Sequence, residues 1–490
     1  MGGRGEVLRD TRIEHLNAFQ NRGIDAYPAE PPTITHTISE MVSSYEQLEG
    51  VSVATAGRIT AIRDHGGLMF WDVQGPRSKI QLMIARKEEG DEAFDFASHT
   101  FDPGDFIGVS GVLGKTKKGE ITIRTDADSI TMLAKAILPP PSGRFGVEDP
   151  ETARSQRYLE TMANPKARER FIMRSKMVQM MREDFLQRGF LEVETPVLDT
   201  TYGGANAKPF ETHMKNKEID ANMYLKISPE LYLKRLTVGM MGPVFEFSRN
   251  FRNEGRDKTH NPEFTTVEAY LPYADYETMM QLMETMFERI ALSLLGTTQV
   301  KFGEHVVDFK APWKRITIYD GLKSAYRIDP TSMSDEDVKK LGENEGVAEA
   351  ESRRGDILMA LFEKAHDGKL IQPTFVMDYP KETSPLTKQH RKDPNLVERF
   401  ECYVGGWEVA NAYTELNNPL DQRDRFEDQA RRKEGGDEEA MPMDDDFITA
   451  LEYGMPPQGG IGISIDRMAM ILTDTHHIRD IILFPQMNRQ

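Results

Sequence analysis

Cysteine is almost missing from these 490 residues: Cys402 stands alone, so no intrachain disulfide and no cysteine-based metal cluster is encoded. Such a chain suits a reducing compartment. Long apolar runs are missing as well. No stretch approaches the roughly 20 residues that span a bilayer. The first ten residues, Met1 to Asp10, lack the apolar core of a secretory signal and the character of a transit peptide. A cytoplasmic protein with no membrane partner is expected. Positive charge is in deficit: 61 Lys and Arg face 79 Asp and Glu, a net charge of −18. This argues against tight, nonspecific nucleic-acid binding but leaves room for a local basic surface. Acidic blocks at Asp335-Glu336-Asp337 and Asp444-Asp445-Asp446 hold part of the excess.

What is present describes a globular protein, with 39% hydrophobic and 29% charged residues and a length that predicts two or three domains. The most informative stretch is 243–270. Read with period two, Phe245, Phe247 and Phe251 share one strand face, while Glu246, Ser248, Asn250, Arg252 and Glu254 share the other. After a loop holding Gly255 and His260-Asn261-Pro262, a second strand sets Thr265, Val267 and Ala269 against Phe264, Thr266, Glu268 and Tyr270. A single polar strand face is usually just solvated. Two paired strands repeating arginine, carboxylates and aromatics suit a phosphate, a flat base and an ammonium or metal ion.

"FRNEG", "HNPEF" and "VEAY" in this stretch resemble motif 2 of the class II aminoacyl-tRNA synthetases, and among them the lysyl enzymes. The resemblance continues in order along the chain. Residues 51–135 read as five short strands, Val51–Ala56, Leu68–Val73, Lys79–Ile84, Asp105–Leu113 and Glu120–Ala127, which suit an OB-fold barrel. OB-folds stack single-stranded bases on aromatics beside a basic groove. Phe70, Trp71 and Gln81 are the candidate anticodon contacts, near Lys115, Lys117, Lys118 and Arg124. Phe70 and Trp71 are strand neighbours, so one of them faces RNA and the other the core. Pro139-Pro140-Pro141 with Ser142-Gly143 marks a stiff linker. A helix is predicted over 166–190, stopped by Gly189, and a methionine-striped helix over 275–295 with Met279, Met283, Met286 and Ile290 as core. "FLEVETP" resembles motif 1, implying a homodimer interface around Pro196. "SPELYLKRL" resembles the lysyl group, where aspartyl and asparaginyl enzymes carry glutamine at the position of Glu230.

Toward the C-terminus, Asn411, Tyr413 and Glu415 share a strand face. Glu401 and Glu408 are seven apart, so a regular strand sends them to opposite faces. Spacing alone favours two unrelated carboxylates; the resemblance implies one metal site, which requires a turn or bulge near Gly405-Gly406. Gly459 to Arg467 resembles motif 3, with Ser464 where the lysyl family usually has glycine and Trp407 where a basic residue is usual.

The implied fold is α+β: an N-terminal OB-fold β-barrel followed by a class II catalytic domain, an antiparallel sheet flanked by helices with a helical insertion. The expected boundaries are 1–50 for a helical lead-in, 51–138 for the barrel, 139–160 for a linker and 161–490 for the catalytic domain, with the insertion near 331–368. The implied activity joins L-lysine to tRNA(Lys) using ATP and Mg2+. Implied roles are ATP contacts from Arg252, Glu254, His260, Asn261, Phe264, Glu401 and Arg467, with Arg252 and Arg467 catalytic. Lysine contacts fall to Gly204, Glu230, Arg252, Glu268, Tyr270, Asn411, Tyr413 and Glu415, and metal contacts to Glu401 and Glu408. Two alternatives stay open: a paralogue that transfers lysine to a translation factor, and a class II enzyme specific for aspartate or asparagine.

Overall fold

Alternating burial along residues 52–134 closes a barrel. Its strands are β1 (Ser52–Asp64), β2 (Leu68–Gln74), β3 (Lys79–Ala85), β4 (Phe106–Lys115), β5 (Ile121–Thr125) and β6 (Ile130–Ala134). They pair in the order β1-β2-β3-β5-β4-β6, and β1 also pairs with β4 to close the ring. β1 serves two neighbours because it runs on to Asp64 and bulges between Ile59 and Ala61. Five strands were expected, the first ending at Ala56; β1 is longer and β6 is additional. The inward residues Met69, Trp71, Val73, Leu82, Ile84 and Ile123 form the core. This computed structural model describes residues 3–88, 91–141, 147–347, 353–437 and 439–487. The chain divides into two units, Met1–Val147 and Glu148–Gln490. Ser142 and Gly143 of the predicted linker lie outside the described residues.

The second unit is organised by an eight-stranded sheet. In chain order its strands are β7 (Leu191–Glu192), β11 (Val244–Phe251), β12 (Glu263–Pro272), β15 (Lys314–Thr317), β16 (Thr374–Pro380), β17 (Leu396–Val404), β18 (Trp407–Thr414) and β19 (Gln458–Ser464). Between them, β8 (Leu198–Asp199), β9 (Glu211–Lys215) and β10 (Asp220–Leu225) make a small sheet, and β13 (Gln299–Phe302) and β14 (His305–Asp308) a hairpin. The large sheet runs β15-β16-β17-β18-β19-β12-β11-β7. Its interior is antiparallel, as expected. Its edge pairs β7–β11 and β15–β16 are parallel, since long crossovers separate their members in sequence.

Helices Pro165–Gln187, Tyr276–Leu295 and Ile465–Leu472 bury the apolar face of this sheet. Met279, Met283, Met286 and Ile290 are all fully buried there with Phe185, Phe245 and Val267. Asn164 and Asp275 cap the first two helices through their side chains. The expected insertion contains helices Asp335–Glu345 and Arg354–His366. Val338, Ile357, Leu358, Leu361 and Phe362 pack it against Ile318, Leu322, Val376 and Tyr379. The opposite face of the sheet is left to polar residues.

Candidate active site

Alternation along β12 sorts its residues. Val267 and Ala269 enter the core, while Phe264, Thr266, Glu268 and Tyr270 line a cavity of about 500 Å³. β11 pairs Glu246 with Glu268 and Asn250 with Phe264, and Arg252 follows directly after its end. The cavity is also lined by Gly204, Glu230, Glu254, His260, Asn261, Glu401, Glu408, Asn411, Tyr413, Glu415 and Arg467. Fifteen residues from distant parts of the chain, all those predicted for ATP, lysine and metal, therefore share one cleft. Glu246, read as part of the same polar face, is instead buried against Lys226 Nζ at 2.6 Å and Thr195 Oγ1 at 2.7 Å.

One end of the cleft carries the arginines. Arg252 lies 5.1 Å from the Phe264 ring centroid, and its buried Nε has no hydrogen-bond partner among the described residues. Withdrawal into the cleft lowers its pKa, and Glu254, Glu268 and Glu408 pull the other way. Arg467 Nη1 donates to the Glu408 carbonyl oxygen at 2.7 Å and lies 3.4 Å from its carboxylate. Arg467 Nη2 lies 3.0 Å from His260 Nε2. Arginine can only donate, so Nε2 accepts and Nδ1 carries the proton toward Asp257 at 2.7 Å. The Asn261 amide donates to the Glu263 carbonyl at 2.6 Å and to Gln486 Oε1 at 2.8 Å.

The parity problem of Glu401 and Glu408 is solved by the β17–β18 hairpin. Gly405 and Gly406 turn the chain at positive φ, 62° and 84°. The register then shifts, because Tyr403 faces Glu408 while Cys402 faces Ala410. Val409 is the extra residue of this bulge. It brings Glu408 onto the cavity face with Asn411 and Tyr413. Glu401 accepts from Arg399 Nη2 at 2.7 Å and from Tyr403 Oη at 2.8 Å. Withdrawal into the cleft, and next Glu401, push the Glu408 carboxyl up, so the two carboxylates feel one another. Among the described residues no group of three His, Cys, Asp or Glu side chains is arranged to hold a metal. Two carboxylates lining this cleft fit Mg2+ in the way that ion is usually held, by few protein oxygens plus phosphates and water.

The other end is acidic and closed. Glu268 accepts from Ser228 Oγ at 3.0 Å and Tyr270 Oη at 3.3 Å. Burial, then the neighbouring Glu230, push it up to about 8. Glu230 opens the helix Glu230–Val238 and accepts from Tyr413 Oη at 2.6 Å and Lys234 Nζ at 2.6 Å. Glu415 is fully buried and ion-paired to Lys234. Burial drives its carboxyl well up, and Lys234 opposes that. Glycine is required at two walls. A Cβ on Gly204, at φ 84°, would lie 2.9 Å from the Glu230 side chain. One on Gly460 would lie 1.9 Å from Glu415 Oε1.

Sequence reasoning missed three polar partners. Arg399 donates through Nε to Asn411 Oδ1 at 3.0 Å and through Nη1 to Ser384 Oγ at 3.0 Å, besides holding Glu401. It lies two residues before Glu401 on the same strand face, which is a readable signal. Lys234 lies four residues after Glu230 on one helix face, also readable. Ser228 carried no such signal. In the barrel, Phe70 and Gln81 lie half-buried on the outer face. Trp71 is a correction: at 0% exposure it packs in the core, 5.1 Å from the Phe101 ring, because strand alternation turns it inward. It cannot stack a base.

Two family models match the chain. Residues 149–488 match the tRNA synthetases class II (D, K and N), and residues 53–132 match an OB-fold nucleic acid binding domain. Full-length relatives are similar as well. A lysine–tRNA ligase 2 of Methanosarcina mazei is 43% identical over 98% of this chain and 94% of its own length. A lysine–tRNA ligase of Clostridium novyi is 44% identical over 98% and 94%. One of Clostridium botulinum is 45% identical over 99% and 96%. With the cleft, the barrel and these likenesses in agreement, the chain belongs to the class II tRNA synthetases of the D, K and N group, in the branch of the lysine–tRNA ligases.

Proposed function

We propose that the chain activates L-lysine with ATP and transfers it to the 3′ end of tRNA(Lys). The observation that carries this reading is a single cleft with arginines at one end and a closed cup of Glu230, Glu268 and Glu415 at the other. In the first step a lysine carboxylate oxygen attacks the α-phosphorus of ATP, and the bond to pyrophosphate breaks. Arg252, with its free Nε, bridges the two anions. Phe264 and Arg467 hold the adenine between them, with Glu254, His260 and Asn261 at its edge and phosphates. Glu401 and Glu408 would hold Mg2+, which when bound neutralises charge on the β- and γ-phosphates. Positioning and charge stabilisation carry this step, and no side chain needs to exchange a proton. In the second step the 3′-terminal ribose hydroxyl attacks the lysyl carbonyl, forming an ester and releasing AMP.

The acidic cup sets the choice of amino acid. Glu268, Tyr270 and Glu415 take the ε-ammonium, and Tyr413 walls the stem. Glu230 and Gly204 take the α-amino group, and Asn411 assists at the carboxylate. An apolar amino acid leaves these groups unpaired at about 1–3 kcal/mol each. Aspartate or asparagine meets a cup that already holds three carboxylates. The barrel unit, with Phe70 and Gln81 outward, favours tRNA over a protein acceptor, since lysine-transferring paralogues typically lack such a domain. The proposal includes a homodimer and a cytoplasmic setting. Lysine-dependent exchange of labelled pyrophosphate into ATP is the test, followed by charging of tRNA(Lys). Exchange driven by another amino acid but not lysine refutes the reading.

A further inference from the structure

We propose that Lys234 is a positioning residue that fixes Glu230 and Glu415 in the spacing and charge a diamino acid requires; the inference rests on the lysine-activating reading above. Its side chain is 0% exposed, and its ammonium touches no solvent. Nζ donates to Glu230 Oε1 at 2.6 Å and is ion-paired with Glu415 Oε2. The same ammonium lies 5.3 Å from the Tyr413 ring centroid and 5.9 Å from that of Tyr270. Two carboxylates and two aromatic faces therefore surround it.

These partners come from separate elements. Glu230 and Lys234 share the helix Glu230–Val238, Glu415 follows β18, and Tyr270 lies on β12. Two buried carboxylates on different elements repel, and a cation between them holds both in place. The charge count is specific. Glu230, Glu268 and Glu415 supply three carboxylates, and Lys234 answers for one. Two remain for the two ammonium groups of a diamino acid, while Arg252 meets its carboxylate. Lys234 thus matches the cup to a substrate with two cationic nitrogens, not one or three.

Lys234→Met keeps most of the volume and removes the charge. Glu415 is then buried beside Glu230 and Glu268 with no cation between the carboxylates. The other titratable groups facing it are Tyr270 and Tyr413. Burial holds both phenols well above their ordinary range, so they stay neutral. In the pyrophosphate exchange assay at pH 7, the variant needs about a hundredfold more lysine than the wild type. The KM for ATP stays within about twofold. A lysine KM within about threefold of wild type, or an ATP KM that rises in proportion to that for lysine, overturns the inference. Should Lys234→Met not fold, as judged by ATP binding, Lys234→Gln is read by the same two criteria. A wild type that fails to exchange with lysine sinks the parent reading instead, so the two failures are distinct.

Discussion

Glu268 holds its proton at neutral pH, because burial and Glu230 lift its pKa from 4.5 to about 8. An ammonium partner needs the ionised form, so lysine binding at pH 7 must expel that proton. The sign follows: lysine affinity rises as pH rises, by up to about tenfold per unit, and levels off above about pH 8. The same shift acts on folding in the opposite sense. The folded state favours the protonated carboxyl, so its ionisation costs stability increasingly from about pH 4.5 and no further above about pH 8. Glu268→Gln removes the titration. It is expected to raise the lysine KM by about ten- to a hundredfold and to flatten its dependence between pH 6.5 and pH 8, with little change in the KM for ATP. Exchange kinetics across that range check both parts. Equal increases for lysine and ATP would count against the role given to Glu268.

At the scale of elements, Ser464 receives an explanation that its place in the sequence did not offer. It is the N-cap of the helix Ile465–Leu472, and its hydroxyl accepts from the Arg467 amide at 3.3 Å. The hydroxymethyl is thus spent on the helix that carries Arg467. Ser464→Ala is expected to cost about 1 kcal/mol and Ser464→Gly only a few tenths, read from urea unfolding curves. A larger loss for glycine than for alanine would contradict the cap. Elements also show what was legible. The faces of β12 could be read because alternation there is unbroken from Phe264 to Tyr270. The correction between Glu401 and Glu408 could be read from parity and placed at Gly405-Gly406; the further bulge at Val409, which brings Asn411 and Tyr413 to the same face, could not, since a bulge depends on the partner strand. The parallel edges β7 and β15 were hidden for the same reason: direction is decided by crossovers, not by local pattern. Arg399 and Lys234 stood in plain spacing with Glu401 and Glu230. Their meaning came from Asn411 and Glu415, which only tertiary structure brings near.

For the whole molecule, the open matter is what covers the start of the catalytic unit. Single exposed apolar residues are ordinary. Here Leu191, Val197 and Leu198 are 46%, 45% and 46% exposed, and Pro196 between them is exposed too. Four such residues fall within eight positions, on the segment that resembles motif 1, and a second copy is the occupant expected to bury them. The chain is therefore expected to weigh twice its 55.7 kDa in light scattering at micromolar concentration. Val197→Asp puts a charge among these residues, and the variant forfeits about 2 kcal/mol or more of apolar burial per copy. A two-fold interface counts the change twice, so dissociation is expected to strengthen by a factor of about a thousand or more. The variant should run as a monomer at the same concentration and keep the melting temperature of a folded chain. A wild type that is monomeric and fully active in pyrophosphate exchange would remove the dimer from the proposal and leave these residues to another partner.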